Sequence, residues 1–143
     1  MDFTDLEGIA ALMNANSGGY AKAMDYRFVK AGPDEVVLEW TVGDQHLQPF
    51  GIVHGGVLAT LIDTACGFAG CWAPPGETRA AVTLSLTTQF LAPAASGRLT
   101  ATGRKVGGGR GVFFATAEIR DEAGAVLARG EGVFRYRNSS NRP

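Results

Sequence analysis

Apolar residues recur at helical spacing through the middle of the chain. Val57, Leu58, Leu61, Ile62, Ala65, Phe68, Ala69 and Trp72 fall at i, i+3, i+4 and i+7, which predicts one long buried helix with a broad apolar face. The same period marks Phe3, Leu6, Ile9, Ala10 and Met13 behind the capping-box pattern Thr4-x-x-Glu7, so a short amphipathic helix is expected over about residues 4–14. Elsewhere the period is two. Tyr26–Lys30 and Glu35–Val42 read as strands around the turn Ala31-Gly32-Pro33-Asp34, with Val36, Leu38, Trp40 and Val42 on one face. Gly43–Val53 is a loop, and Ala73–Thr78, with two prolines, stops the long helix. Ala80–Ala92 alternates strictly: Val82, Leu84, Leu86, Thr88 and Phe90 against Thr83, Ser85, Thr87 and Gln89. Arg98–Val106 and Gly111–Arg120 flank a glycine run, and Ala125–Arg137 is the last strand. This order of elements predicts an α+β fold, a curved antiparallel sheet wrapped around one long central helix.

Asp63 does not fit the pattern of its own helix. Ionised carboxylates are rarely buried unless they are paired or used. Its neighbours one and two turns away are Gly56, Ala59, Thr60, Gly67 and Gly70, a face small enough to admit a strand, a partner chain or a ligand. Two readings stand: a structural carboxylate bonded to backbone, or a group used in chemistry. Gly55-Gly56 also admits two readings. It is a tight loop-to-helix turn, or a bare helix N-terminus whose unsatisfied N–H groups a ligand can approach as an oxyanion hole.

Composition narrows the choices. A chain of 143 residues suits one domain, expected over residues 1–137 with a disordered polar tail at 138–143. A net charge of −1 gives no sign of nucleic acid or an anionic membrane as partner. No apolar run approaches the roughly 20 residues that span a bilayer. The acidic start MDFTDLEG lacks the layout of a secretion signal, and Cys66 and Cys71, placed on the helix, read as reduced thiols of a cytoplasmic protein. With His46 and His54 the only histidines, a metal site is not expected. Gly-x-Ser-x-Gly is absent, so no serine-nucleophile arrangement is supported.

Gln48, His54-Gly55-Gly56 and Asp63, followed by QFLAPA and the segment Gly107–Gly111, resemble the hotdog-fold acyl-CoA thioesterases of the phenylacetic-acid-degradation and 4-hydroxybenzoyl-CoA type. The similarity spans about Asp34 to Tyr136. It implies the hotdog fold and hydrolysis of an aromatic or medium-chain acyl-CoA, with no cofactor, CoA being part of the substrate. It further implies that Gly55 N–H binds the thioester oxygen with Gln48 beside it, that His54 holds the helix start, and that Asp63 is general base or nucleophile. Thr83 matches a hydroxyl that orients the attacking water. In such enzymes Asp63 faces Gly55 of a second subunit, so a homodimer with shared sites, paired into a tetramer, is expected. Some relatives carry Asn for Gln48 or Glu for Asp63, which leaves the acyl preference open. Arg110, Gly109 and Arg104 around the glycine turn are candidates to hold CoA phosphates, and Phe50, Phe68 and Trp72 to line an acyl pocket. A non-catalytic acyl-CoA-binding hotdog protein and a hotdog enoyl-thioester hydratase are the competing readings.

Overall fold

The computed structural model describes residues 6–15, 17–73 and 79–137. The elements run α1 (Leu6–Ala15), α2 (Gly19–Met24), β1 (Arg27–Gly32), β2 (Glu35–Thr41), a single 3-10 turn (Asp44–His46), α3 (Gly55–Ala69), β3 (Ala81–Phe90), β4 (Arg98–Gly108), β5 (Val112–Arg120) and β6 (Val126–Tyr136). The strands form one sheet in the order β1-β2-β4-β5-β6-β3. Each pairing is antiparallel. This is the curved sheet and single long helix expected from the alternation, a hotdog fold. Among the described residues no helix is long and apolar enough to cross a membrane.

The sheet grips α3 through positions where side chains are missing. A Cβ on Gly103 of β4 would stand 2.1 Å from the Ala65 carbonyl oxygen, and one on Gly130 of β6 would meet the Ile62 side chain at 2.8 Å. The helix backbone therefore rests directly on the sheet, a distance only glycine permits. Leu38, Leu61, Ile62, Leu99, Phe113, Ile119 and Phe134 fill the space around that contact and are fully buried.

Two expectations need correction, and one element was not foreseen. α3 ends at Ala69, so Cys71 and Trp72 lie beyond it. A Cβ on Gly70 would clash with the Phe113 ring at 2.3 Å, and the Tyr136 hydroxyl donates to the Gly70 carbonyl at 2.8 Å, which satisfies an acceptor that continued helix would have used. The first hairpin turn is shorter than read. β1 runs through Gly32, leaving Pro33-Asp34 as the turn, with Asp34 at φ +63°. The short helix α2 carried no sequence signal, because six residues are too few to show a period. The capping box at Thr4, the prolines of residues 74–78 and the tail at 138–143 lie outside the described residues.

Both cysteines are free thiols, Cys66 buried and Cys71 half-buried. Burial, reinforced by the nearby Asp63 charge, pushes the Cys66 thiol from 9.0 up to about 12. Burial likewise raises Cys71 to about 11, with the Arg79 charge opposing it. A thiol raised on folding contributes stability that is complete below its unfolded pKa and is lost as pH climbs to the folded value. Stability should therefore hold up to about pH 9 and fall between pH 9 and 12, at roughly 1.4 kcal/mol per pH unit for Cys66. Urea titrations at stepped pH read this directly, and Cys66→Ala should flatten the slope.

Candidate active site

The loop before α3 is built by its own backbone. The Gln48 N–H donates to Ile52 O at 2.8 Å, Gly51 N–H to Gln48 O at 2.9 Å, and Val53 N–H to Ala94 O at 2.7 Å. The Gln48 side-chain oxygen accepts from Phe50 N–H, which fixes its amide at the loop's shoulder. Beneath it lies His46, fully buried. Its Nδ1 accepts from Gly43 N–H at 2.9 Å, so Nε2 carries the proton and donates to Met24 O at 2.6 Å. Its carbonyl accepts from His54 N–H at 2.8 Å. His46 thus ties three segments together, its ring joining α2 to the loop and its backbone carbonyl holding the start of α3. The sequence showed His46 only as a loop histidine, with no sign of this structural role.

At the start of α3, His54 is the N-cap. Its Nδ1 accepts from Gly56 N–H at 2.7 Å, and its carbonyl accepts from Val57 and Leu58 N–H. A Cβ on Gly56 would sit 2.9 Å from that ring nitrogen, so glycine is needed for the cap to form. The Gly56 N–H is therefore engaged. Of the first-turn donors only Gly55 N–H has no acceptor among the described residues. It stands at the positive end of the helix dipole, with the half-exposed Phe90 ring 3.5 Å from where its Cβ would be.

Asp63 lies two turns further along α3. Its Oδ1 accepts from the Thr83 hydroxyl at 2.7 Å, and its Oδ2 has no partner among the described residues. Strict alternation would put Thr83 on the sheet's outer face with Ser85, Thr87 and Gln89. A β-bulge prevents this. Thr83 pairs with Phe134 and Ser85 with Val133, so Leu84 is the extra residue and the facing reverses there. Thr83 consequently shares the helix side with Leu86, whose side chain meets Gly132. A bulge that re-aims one side chain is a recurrent device beside functional sites.

The other candidates are not gathered there. Arg110 is exposed in the β4–β5 turn, where Gly109 N–H already donates to Val112 O at 2.8 Å. Arg104 lies on the outer face of the sheet, 3.4 Å from Glu35, in a shallow groove of about 420 Å³ shared with Thr102, Thr116, Glu118 and Arg129. Phe50 is almost wholly exposed at 89%, Phe68 packs edge-on against Phe28 at 4.9 Å between ring centres, and Trp72 is half-buried past the helix end.

Residues 50–128 match the family model described as the thioesterase superfamily. The chain belongs to the thioesterase superfamily. It is 28% identical over 104 residues to acyl-coenzyme A thioesterase 13 of Mus musculus, covering 71% of this chain and 73% of that one. It is 30% identical over 94 residues to 1,4-dihydroxy-2-naphthoyl-CoA hydrolase of Escherichia coli, covering 66% of each. A solved thioesterase from Haemophilus influenzae superposes with a TM-score of 0.79 at 26% identity, covering 93% of this chain and 90% of the other. This superfamily member is thus a thioester hydrolase with the hotdog fold.

Proposed function

We propose that this protein hydrolyses an acyl-CoA thioester, with an aromatic or medium-chain acyl group, to the free acid and CoA. The observation that carries the reading is the pair of half-sites on α3. One is a donor with no acceptor, Gly55 N–H. The other is a carboxylate with one oxygen held and one free, Asp63. The thioester oxygen would accept from Gly55 N–H, where the helix dipole stabilises the charge that develops in the tetrahedral intermediate. The Gln48 amide would lie beside it. Asp63 acts either by taking a proton from the attacking water or by attacking the carbonyl carbon itself. Both routes need an ionised carboxylate next to that carbon, and the CoA thiolate leaves in each.

The half-sites of one chain cannot serve one carbonyl. Eight residues of helix separate Gly55 from Asp63, about 12 Å along the axis. A homodimer resolves this by setting Asp63 of one copy against Gly55 of the other. The edge strand β3 supports that pairing, since it carries exposed Val82, Leu84 and Phe90 and an unpaired edge beside Asp63's partner Thr83. Two such dimers would form the tetramer. Arg110, at the tip of the β4–β5 turn and free of any ion pair among the described residues, is our choice for a CoA phosphate, with Gly109 keeping the turn open. The reaction as proposed draws on no cofactor. The two free cysteines suit a reducing cytoplasm.

Thiol release from acetyl-, decanoyl-, benzoyl-, phenylacetyl- and hydroxylated aromatic CoA esters tests the reading, with crotonyl-CoA hydration as the control. Turnover of one or more esters without hydration is expected. Binding without turnover would establish the non-catalytic reading in its place, and hydration the third. In the same assay Thr83→Val should lower kcat about tenfold, the scale of one hydrogen bond to a charged group, and Thr83→Ser should retain it.

A further inference from the structure

We propose that Tyr20 is a specificity-determining residue, its ring forming one wall of the pocket for the acyl group. The inference rests on the thioesterase reading and extends it to a residue outside the sheet and α3. The Tyr20 hydroxyl lies 2.8 Å from Thr60 Oγ1. Thr60 gives its own proton to Gly56 O at 2.9 Å, so the phenol is the donor and its proton is engaged. What Tyr20 then presents outward is aromatic surface, and 61% of the residue is exposed. A large apolar ring held over a helix by one hydrogen bond, with so much of it uncovered, is suited to meet an apolar group.

Its position says which group. Thr60 is four residues after Gly56 and three before Asp63, so on a helix both are its neighbours, with Cβ atoms roughly 5–6 Å away. Gly56, Thr60, Asp63 and Gly67 share one face of α3, and no large side chain of that face intervenes between Tyr20 and the carboxylate. An acyl group whose carbonyl carbon is at Asp63 has its chain or ring within reach of Tyr20. The placement is fixed rather than incidental. Asp25 ends α2 in the left-handed conformation with its N–H on Ala21 O at 2.9 Å, and Met24 O is held by buried His46. The residue whose carbonyl holds the start of α3 thereby holds, through its ring, the end of the helix that carries Tyr20.

The test compares wild type, Tyr20→Phe and Tyr20→Ala on acetyl-, decanoyl- and phenylacetyl-CoA, with molecular mass and thermal unfolding followed in parallel. Tyr20→Ala should lower kcat/KM for the two larger esters at least about tenfold more than for acetyl-CoA, mainly through KM. Tyr20→Phe should keep the wild-type ratio between esters. An equal loss on all three esters, or no loss, would overturn the proposal, because a merely structural ring cannot change selectivity. Where Tyr20→Ala unfolds, Tyr20→Leu is read by the same ratio. Wild type inactive on every ester overturns the thioesterase reading and this inference with it, an outcome distinct from active enzyme with unchanged selectivity.

Discussion

Asp63→Asn should leave a folded protein that hydrolyses thioesters at least about 10²-fold more slowly, with the loss in kcat. Asparagine has the shape of aspartate, and its side-chain oxygen can still accept the Thr83 hydroxyl that now bonds Oδ1 at 2.7 Å. The packing of α3 on Gly103 and Gly130 does not involve this side chain, so unfolding temperature should barely move. What disappears is the basicity and nucleophilicity of the free oxygen. Thiol-release kinetics and a melting curve on the same preparation suffice. A variant that keeps wild-type turnover would remove Asp63 from the chemistry and leave it a structural carboxylate.

The sequence carried the fold further than it carried the site. Alternation in Glu35–Val42 identified the buried face of β2, where Val36, Leu38 and Trp40 are at most 2% exposed. Apolar period located α3 because a helix that rests on a sheet must repeat its contacts every turn. Its end was misjudged by three residues. The stop comes from a Phe113 ring against Gly70 and a Tyr136 hydroxyl on a carbonyl, both supplied by strands far along the chain. The facing of Thr83 was illegible for a similar reason. Pattern alone cannot show a bulge, since Leu84 looks like any other alternating residue until β6 pairs with it. The anchoring bond of His46 and the place of Tyr20 beside Thr60 depend on where α2 lies, and α2 is too short to announce itself. Spacing alone treated the Gly-Gly pair as a unit and only the resemblance singled out Gly55, whereas the structure gives the two glycines different surroundings. Gly56 makes room for the His54 cap, and Gly55 keeps the open donor.

That division permits a sharp test of the shared site. Gly55→Pro should lower kcat about 10²-fold to 10³-fold, the usual cost of removing one oxyanion donor, while sparing the fold. Proline is well tolerated at the first position of a helix. The preceding residue, His54, already has the extended backbone that proline requires, at φ −61° and ψ 135°. A Cβ at position 55 meets the Phe90 ring at an ordinary 3.5 Å. Mixing unfolded Gly55→Pro with unfolded Asp63→Asn and refolding them together then separates two architectures. If each chain completed its own site, every species in the mixture would stay inactive. In a dimer that sets Asp63 of one copy against Gly55 of the other, a heterodimer contains one site built from the two unaltered half-sites and one built from both altered ones. Random pairing makes half the dimers heterodimers, so about a quarter of wild-type activity should return, against near zero for either variant alone. A mixture as inactive as its parents, in a sample whose mass is shown to be dimeric, would confine the chemistry to a single chain and require the helix to work across the 12 Å or so that its own geometry imposes.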